Sequence, residues 1–235
     1  MKIEIPSATE TKVQKTADLI APAGLEISSN YLKIGEKLAK TFFIFSYPRY
    51  LGTGWFSQII NLAEIFDISI FFHPSDTGIA LKQLQKKVTE VEAQLYEREE
   101  KGLVRDPALE TAYRDIEALR DQLMQARERL FEVGVYITIY GDSLEDLRRL
   151  ENLITTLFEG KLIYIKPALF QQIEGFDSVL PLLEDKLAVR NPLNTSPASS
   201  LFPFVSLDLT SDEGILYGVN LSNNSLIIFD RFSLP

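Results

Sequence analysis

The chain contains no cysteine and a single histidine, His73. The first absence excludes a disulfide framework and every thiolate-ligated metal site. The second excludes histidine-cluster zinc sites and argues against a histidine-based catalytic triad. No apolar run approaches the ~20 residues of a membrane-spanning helix. The first residues, Met1 to Pro6, lack the apolar core of a signal peptide. Basic residues are also in the minority: 24 Lys and Arg against 33 Asp and Glu leave a net charge of −9. That balance opposes sequence-independent binding to a phosphate backbone. No metal, cofactor or nucleic-acid partner is expected. The expected location is the cytoplasm, with a membrane reached only indirectly, through partners.

What is present is enough for a real core: 235 residues, 46% of them hydrophobic. The most regular stretch runs from Ile79 to Leu130. Its first half spaces Leu81, Leu84, Val88, Val91 and Leu95 by three and four. Its second half does the same with Leu109, Ala112, Ile116, Leu119, Leu123 and Leu130, with Ala126 between. Each is a narrow apolar stripe along a helix. Between them, Gly102 ends one helix, Asp106 caps the next and Pro107 takes its first position. The pattern predicts a long antiparallel helical hairpin, inserted over residues 78–131.

The flanking sequence predicts a sheet. Leu25 to Ile34 reads as one strand and Lys40 to Tyr47 as a central one, with apolar residues on both faces. A helix is expected from Thr53 or Gly54 to about Ile65, then a strand from Asp67 to His73. After the hairpin, Val133, Val135, Ile137 and Ile139 alternate with Gly134, Tyr136, Thr138 and Tyr140. A helix follows from Asp142 or Ser143 to Phe158, ended by Gly160, and a fourth strand from Leu162 to Ile165. Strand, helix, strand, hairpin, strand, helix, strand is the split βαβ order. The expected fold is α+β: a ferredoxin-like sheet with the hairpin inserted between its second and third strands, and both crossover helices on one face. Residues 1–20 read as a flexible arm, 21–183 as the ferredoxin-like domain, and 184–235 as an irregular connector followed by a β-hairpin. In that last hairpin Asn223 and Asn224 favour a left-handed turn.

Candidate chemistry is sparse. His73 ends a strand with no second histidine or cysteine to join it. Glu97, Glu99 and Glu100 read as a solvated helix end rather than paired catalytic carboxylates. Gly52 and Gly54 resemble a phosphate loop only superficially, since GxxxxGK[ST] is absent. Ser199 and Ser200 have no G-x-S-x-G context. Tyr136, Tyr140, Phe71 and Tyr164 are expected on the sheet face away from the helices. The acidic balance argues against base stacking there. That face is expected to be covered by residues 25–34 or 215–229, or by a partner. Trp55 is expected to anchor the core. No catalytic, cofactor-binding or metal residue is assigned.

Two stretches carry a family resemblance. The first holds Ile20-Ala-Pro22, Asn30-Tyr-Leu-Lys-Ile-Gly35 and Phe43-Ile-Phe-Ser-Tyr-Pro-Arg49, with Trp55 beyond. The second runs from Phe202-Pro-Phe-Val205 through Gly214-Ile-Leu-Tyr-Gly-Val-Asn220 to Asn224-Ser-Leu-Ile-Ile-Phe-Asp-Arg-Phe232. Together they resemble the N-terminal part of conjugative type IV secretion ATPases of the VirB/TrbE/CagE kind, TraC-like proteins included. The resemblance implies a docking domain that binds other secretion-apparatus subunits at the cytoplasmic face of the cell membrane, with possible self-association. The family's Walker A and B residues have no counterpart here, so no catalytic residue carries over and no ATPase activity is expected of this chain. The alternative is a stand-alone ferredoxin-like module that binds a small molecule or regulates a partner.

Overall fold

The computed structural model describes residues 24–202, 213–221 and 224–230. The expected arm at 1–20, much of the stretch after Phe202, and Asn223 lie outside them. Strand β5 (Leu130–Gly141) is the spine of the sheet. Its odd-numbered valines and isoleucines face one side and its even-numbered residues the other, as the alternation predicts. Three strands pair with it, all antiparallel. β4 (Phe66–Pro74) runs along one edge over nearly its full length, Phe66 opposite Ile139 and Pro74 opposite Phe131. β3 (Lys37–Ser46) takes residues 136–141 of the other edge. β7 (Asn191–Asn194) takes residues 130–133 of that same edge, beyond the end of β3. The outer edge of β3 is itself shared, by β2 (Leu32–Ile34) near its start and β6 (Tyr164–Pro167) near its end. β1 (Leu25–Ile27) completes the seven strands. The order β4-β5-β3-β6 and its antiparallel pairing are those of the split βαβ unit, so the α+β, ferredoxin-like expectation holds.

The core lies on the face of Phe42, Ile44, Val133, Val135, Ile137 and Ile139. Two helical segments cover it. α1 (Ser57–Ile60) contributes Ile59, with Trp55 and Phe56 just before it. α4 (Leu144–Glu159) contributes Leu147, Leu150, Ile154 and Phe158, and is capped by Ser143 Oγ accepting from Asp146 N at 3.1 Å. Trp55 is 6% exposed, with its ring 4.5 Å from that of Phe56 and 6.2 Å from that of Phe158. It anchors the core as expected.

Helices α2 (Thr77–Glu100) and α3 (Pro107–Met124) form the expected hairpin between β4 and β5. Asp106 caps α3 through the N–H groups of Ala108 and Leu109, with Pro107 at the first position. Gly102 follows α2 at φ +62, with Leu103 N donating to Arg98 O and Gly102 N to Glu99 O. That pair of bonds is the Schellman ending, and it needs a left-handed residue at Gly102. β8 (Ile215–Val219) and β9 (Leu226–Phe229) form the expected C-terminal hairpin, with Asn224 at φ +57.

Four expectations need correction. The strand over 25–34 is two strands, because the turn formers Ser28, Ser29 and Asn30 bend the chain and Ser28 N donates to Tyr31 O. The helix expected over 53–65 shortens to α1. Pairing of Phe66 with Ile139 starts β4 early and leaves only residues 61–65 for the return. α3 stops at Met124 rather than Leu130. Ala126 sits at φ +54 in a second Schellman ending, and Leu130 already pairs with Asn194. Gly160 does end α4, as expected, at φ −58, and the left-handed residue that follows is Leu162, at φ +58. Finally, 184–200 is not irregular: it contains β7 and the short helix α6 (Thr195–Ser200). Pro192 hides the strand in the sequence, but an edge position tolerates its missing N–H.

Candidate functional site

The aromatic face of the sheet is closed by the chain itself, not by residues 25–34 or 215–229. Helix α5 (Gln172–Val179) lies on it. Gln172, 1% exposed, replaces a missing strand: its Oε1 accepts from Thr41 N at 2.8 Å and its Nε2 donates to Ala168 O at 3.0 Å. Gly175 lets the helix approach, since a Cβ there would come within 2.9 Å of Thr41 Cγ2. Beneath it Thr41 and Thr138 share a hydroxyl hydrogen bond of 2.8 Å. Tyr136 is fully buried in a cluster with Ala168 and Leu187, against which Phe43, Phe71, Val179 and Val189 pack. Tyr164 is nearly half exposed, at the sheet's far side. The Tyr140 hydroxyl donates to Asp67 Oδ2 at 2.5 Å.

One group of titratable side chains converges there. Asp185, with its side chain 4% exposed, takes four donors. Oδ1 accepts from Tyr136 Oη at 2.5 Å and from Ala188 N at 3.0 Å. Oδ2 accepts from Arg190 Nε at 2.7 Å and faces His73 Nε2 at 3.0 Å. A carboxylate only accepts, so Nε2 of His73 carries the hydrogen. Burial alone would raise the Asp185 pKa. The bonds from Tyr136, Arg190, Ala188 and His73 outweigh it and hold the carboxyl below its usual range. Burial first, and then the Asp185 hydrogen bond and charge, push the Tyr136 phenol up. Every acceptor position of Asp185 is taken. The cluster is therefore suited to fastening residues 180–190 to the sheet, not to moving a substrate's proton. His73 serves that fastening. Sequence reading missed Asp185, whose only local signal is an acid heading a tight turn.

The other singled-out residues stay apart. Glu97, Glu99 and Glu100 are exposed on α2, with Glu97 paired to Lys101 at 2.5 Å. Gly52 and Gly54 lie in the turn before α1, where Gly54 O accepts from Ser57 Oγ at 2.8 Å. Ser199 and Ser200 each spend their hydroxyl on a helix carbonyl at 2.7 Å. Among the described residues no group of three or more His, Cys, Asp or Glu side chains could hold a metal ion. No helix among them is long and apolar enough to cross a membrane.

Among the described residues two surfaces remain open. The first is the hairpin arm. Val88 and Leu123 are buried between the helices, and no other element among the described residues shares a comparable contact with either helix. At the tip Leu103 is half exposed and Val104 is 85% exposed, beside a recess of about 560 Å³. Arg98, Arg105 and Arg114 line that recess along with Glu99, Asp106 and Glu110, so its charges cancel. Halfway along the arm, Arg49 from the loop after β3 pairs with Asp115 of α3. The second surface is an almost wholly apolar cleft of about 500 Å³, formed by Ile70, Phe72, Phe131, Ala198 and Phe202 with Thr195 and Ser199.

No protein-family model matches the chain, and no curated protein matches it.

Proposed function

We propose that this chain is a non-catalytic docking domain whose helical hairpin presents a binding surface to other proteins. The observation that carries this reading is the arm's construction. Two helices of 24 and 18 residues pack on each other and end in apolar side chains turned to solvent. Isolated exposed leucines and valines are ordinary, but Leu103 and Val104 sit together at the end of a projecting arm. The filled Asp185 cluster supports the non-catalytic part, because its carboxylate has no free acceptor position.

In the setting that the resemblance implies, the partners are subunits of a conjugative type IV secretion apparatus, met at the cytoplasmic face of the cell membrane. ATP would be bound by a motor domain of the kind that family carries. The test is co-purification with subunits of a conjugative type IV secretion apparatus expressed together with this chain. Leu103→Glu combined with Val104→Glu should cut binding at least tenfold and leave the unfolding midpoint unchanged. Unchanged binding by that variant, or ATP turnover by the chain itself, would sink the reading.

The apolar cleft favours a second reading, a small-molecule module. Ligand sites normally add a few convergent polar groups to an apolar lining, whereas the polar side chains of this cleft are Thr195 and Ser199, whose hydroxyls are already bonded to backbone groups of the chain. A thermal-shift screen against metabolites tests it, since a ligand that binds only the folded state raises the melting temperature.

A further inference from the structure

β4 is an edge strand. It pairs with β5 along its length, and no strand among the described residues pairs on its other side. Natural edges are usually guarded by lysine, proline, a bulge or brevity. This one is nine residues long, has no lysine or arginine, keeps one register throughout, and meets proline only at its last residue. Such an edge is built to be paired.

We propose that it pairs with the same strand of a second copy, antiparallel and centred on Ile70. The strand's own sequence selects this occupant and this register. Centring on Ile70 sets Ile68 opposite Phe72 and Ser69 opposite Phe71. It also sets Asp67 opposite His73, and the two-fold axis makes that contact twice. Shifting the centre to Ser69 or Phe71 loses the acid–histidine pairing, placing Asp67 against Phe71 or Ser75. A shift by half a residue puts the apolar and polar faces of the two strands out of step. In the Ile70 register the apolar faces are continuous. Ile68 of each copy lies across from Phe72 of the other, which is 47% exposed beside the apolar cleft. The cleft is then an extension of the interface. Asp67 and His73 already accept or share hydrogen bonds with Tyr140 and Asp185, which hold both side chains in place at the edge.

Because the chain has no cysteine, one substitution reads the register directly. Directly opposed residues of antiparallel strands have Cα atoms about 4.5–5.5 Å apart, within the range a disulfide spans. Ile70→Cys in the full chain should form a disulfide-linked dimer under mild oxidation at least tenfold faster than Val104→Cys at the hairpin tip. The unsubstituted chain should sediment as a dimer at about 100 µM, the weak range expected of a small interface. Phe72→Lys, a change at a half-exposed side chain, should sediment as a monomer there. An unsubstituted chain that stays monomeric at that concentration overturns the proposal, leaving the edge to a strand from another protein. A dimer in which Val104→Cys cross-links as fast as Ile70→Cys, or which Phe72→Lys does not weaken, also overturns it. The hairpin-tip variants of the docking reading lie outside this edge, so either proposal can fail alone.

Discussion

Tyr136 Oη donates to Asp185 Oδ1 at 2.5 Å, tying the middle of the longest strand to a loop 49 residues on. The bond fastens the segment that closes the second face of the sheet. Tyr136→Phe keeps the ring in the core and removes the donor. A buried carboxylate left short of one donor costs about 1–3 kcal/mol. Urea unfolding should show that loss as a lower midpoint with an unchanged slope.

The same carboxylate sets a pH dependence. Its folded pKa lies below the unfolded value, so the folded state holds the ionised form more tightly. The contribution is fully present above about pH 4, the ordinary range for an aspartate, and is lost as pH falls through the folded value. Unfolding measured between about pH 2 and 6 should fall off less steeply at the acid end in Asp185→Asn than in the unsubstituted chain. Equal acid limbs would remove Asp185 from the clamp.

Lys40 is 3% exposed and reaches both oxygens of Glu151 at 2.7 Å. Glu151→Gln leaves an ammonium inside the protein without its counter-charge. The expected cost is about 3 kcal/mol, while replacing both partners by Lys40→Met and Glu151→Leu should cost far less. A double-mutant cycle by chemical denaturation checks the contrast.

Three helices end on a left-handed residue, at Gly102, Ala126 and Leu162. Only the first is glycine. Ala126→Gly and Leu162→Gly should each relieve backbone strain and raise stability by about 0.5–1 kcal/mol, and Gly102→Ala should lower it by a similar amount. A rise in the thermal midpoint for the first two and a fall for the third is the expected pattern.

Leu123 is 2% exposed inside the hairpin and Val104 is 85% exposed at its tip. Leu123→Asp should unfold or loosen the arm, costing about 3 kcal/mol or more for an unpaired charge in an apolar contact. Val104→Asp should leave stability within about 0.5 kcal/mol of its starting value. Circular dichroism during thermal unfolding separates the two.

The sequence by itself determined what repeats locally: the hairpin stripe, the Asp106–Pro107 helix start, the Gly102 stop, the alternation of β5 and hence the split βαβ order. Each is written in the chemistry of neighbours within a turn or two. Its misreadings fell where distant partners decide. Gly160 ends α4 as its sequence position implies, but the left-handed turn falls on Leu162, which then leads Ile163 into the core. Residues 191–194 carry no strand pattern, and Asn191 and Pro192 are turn formers. They became β7 because β5 outruns β3 and leaves its backbone groups needing partners. Tyr136 was expected on a face covered by residues 25–34 or 215–229, or by a partner. Helix α5 and the Asp185 loop buried it through contacts 32 or more residues away in sequence, which no local pattern encodes. The cleft between β4, β5 and α6 and the unguarded edge of β4 exist only once the sheet is assembled. A strand's position at an edge is a property of the whole sheet's order, so tertiary structure alone decided which strand lies there.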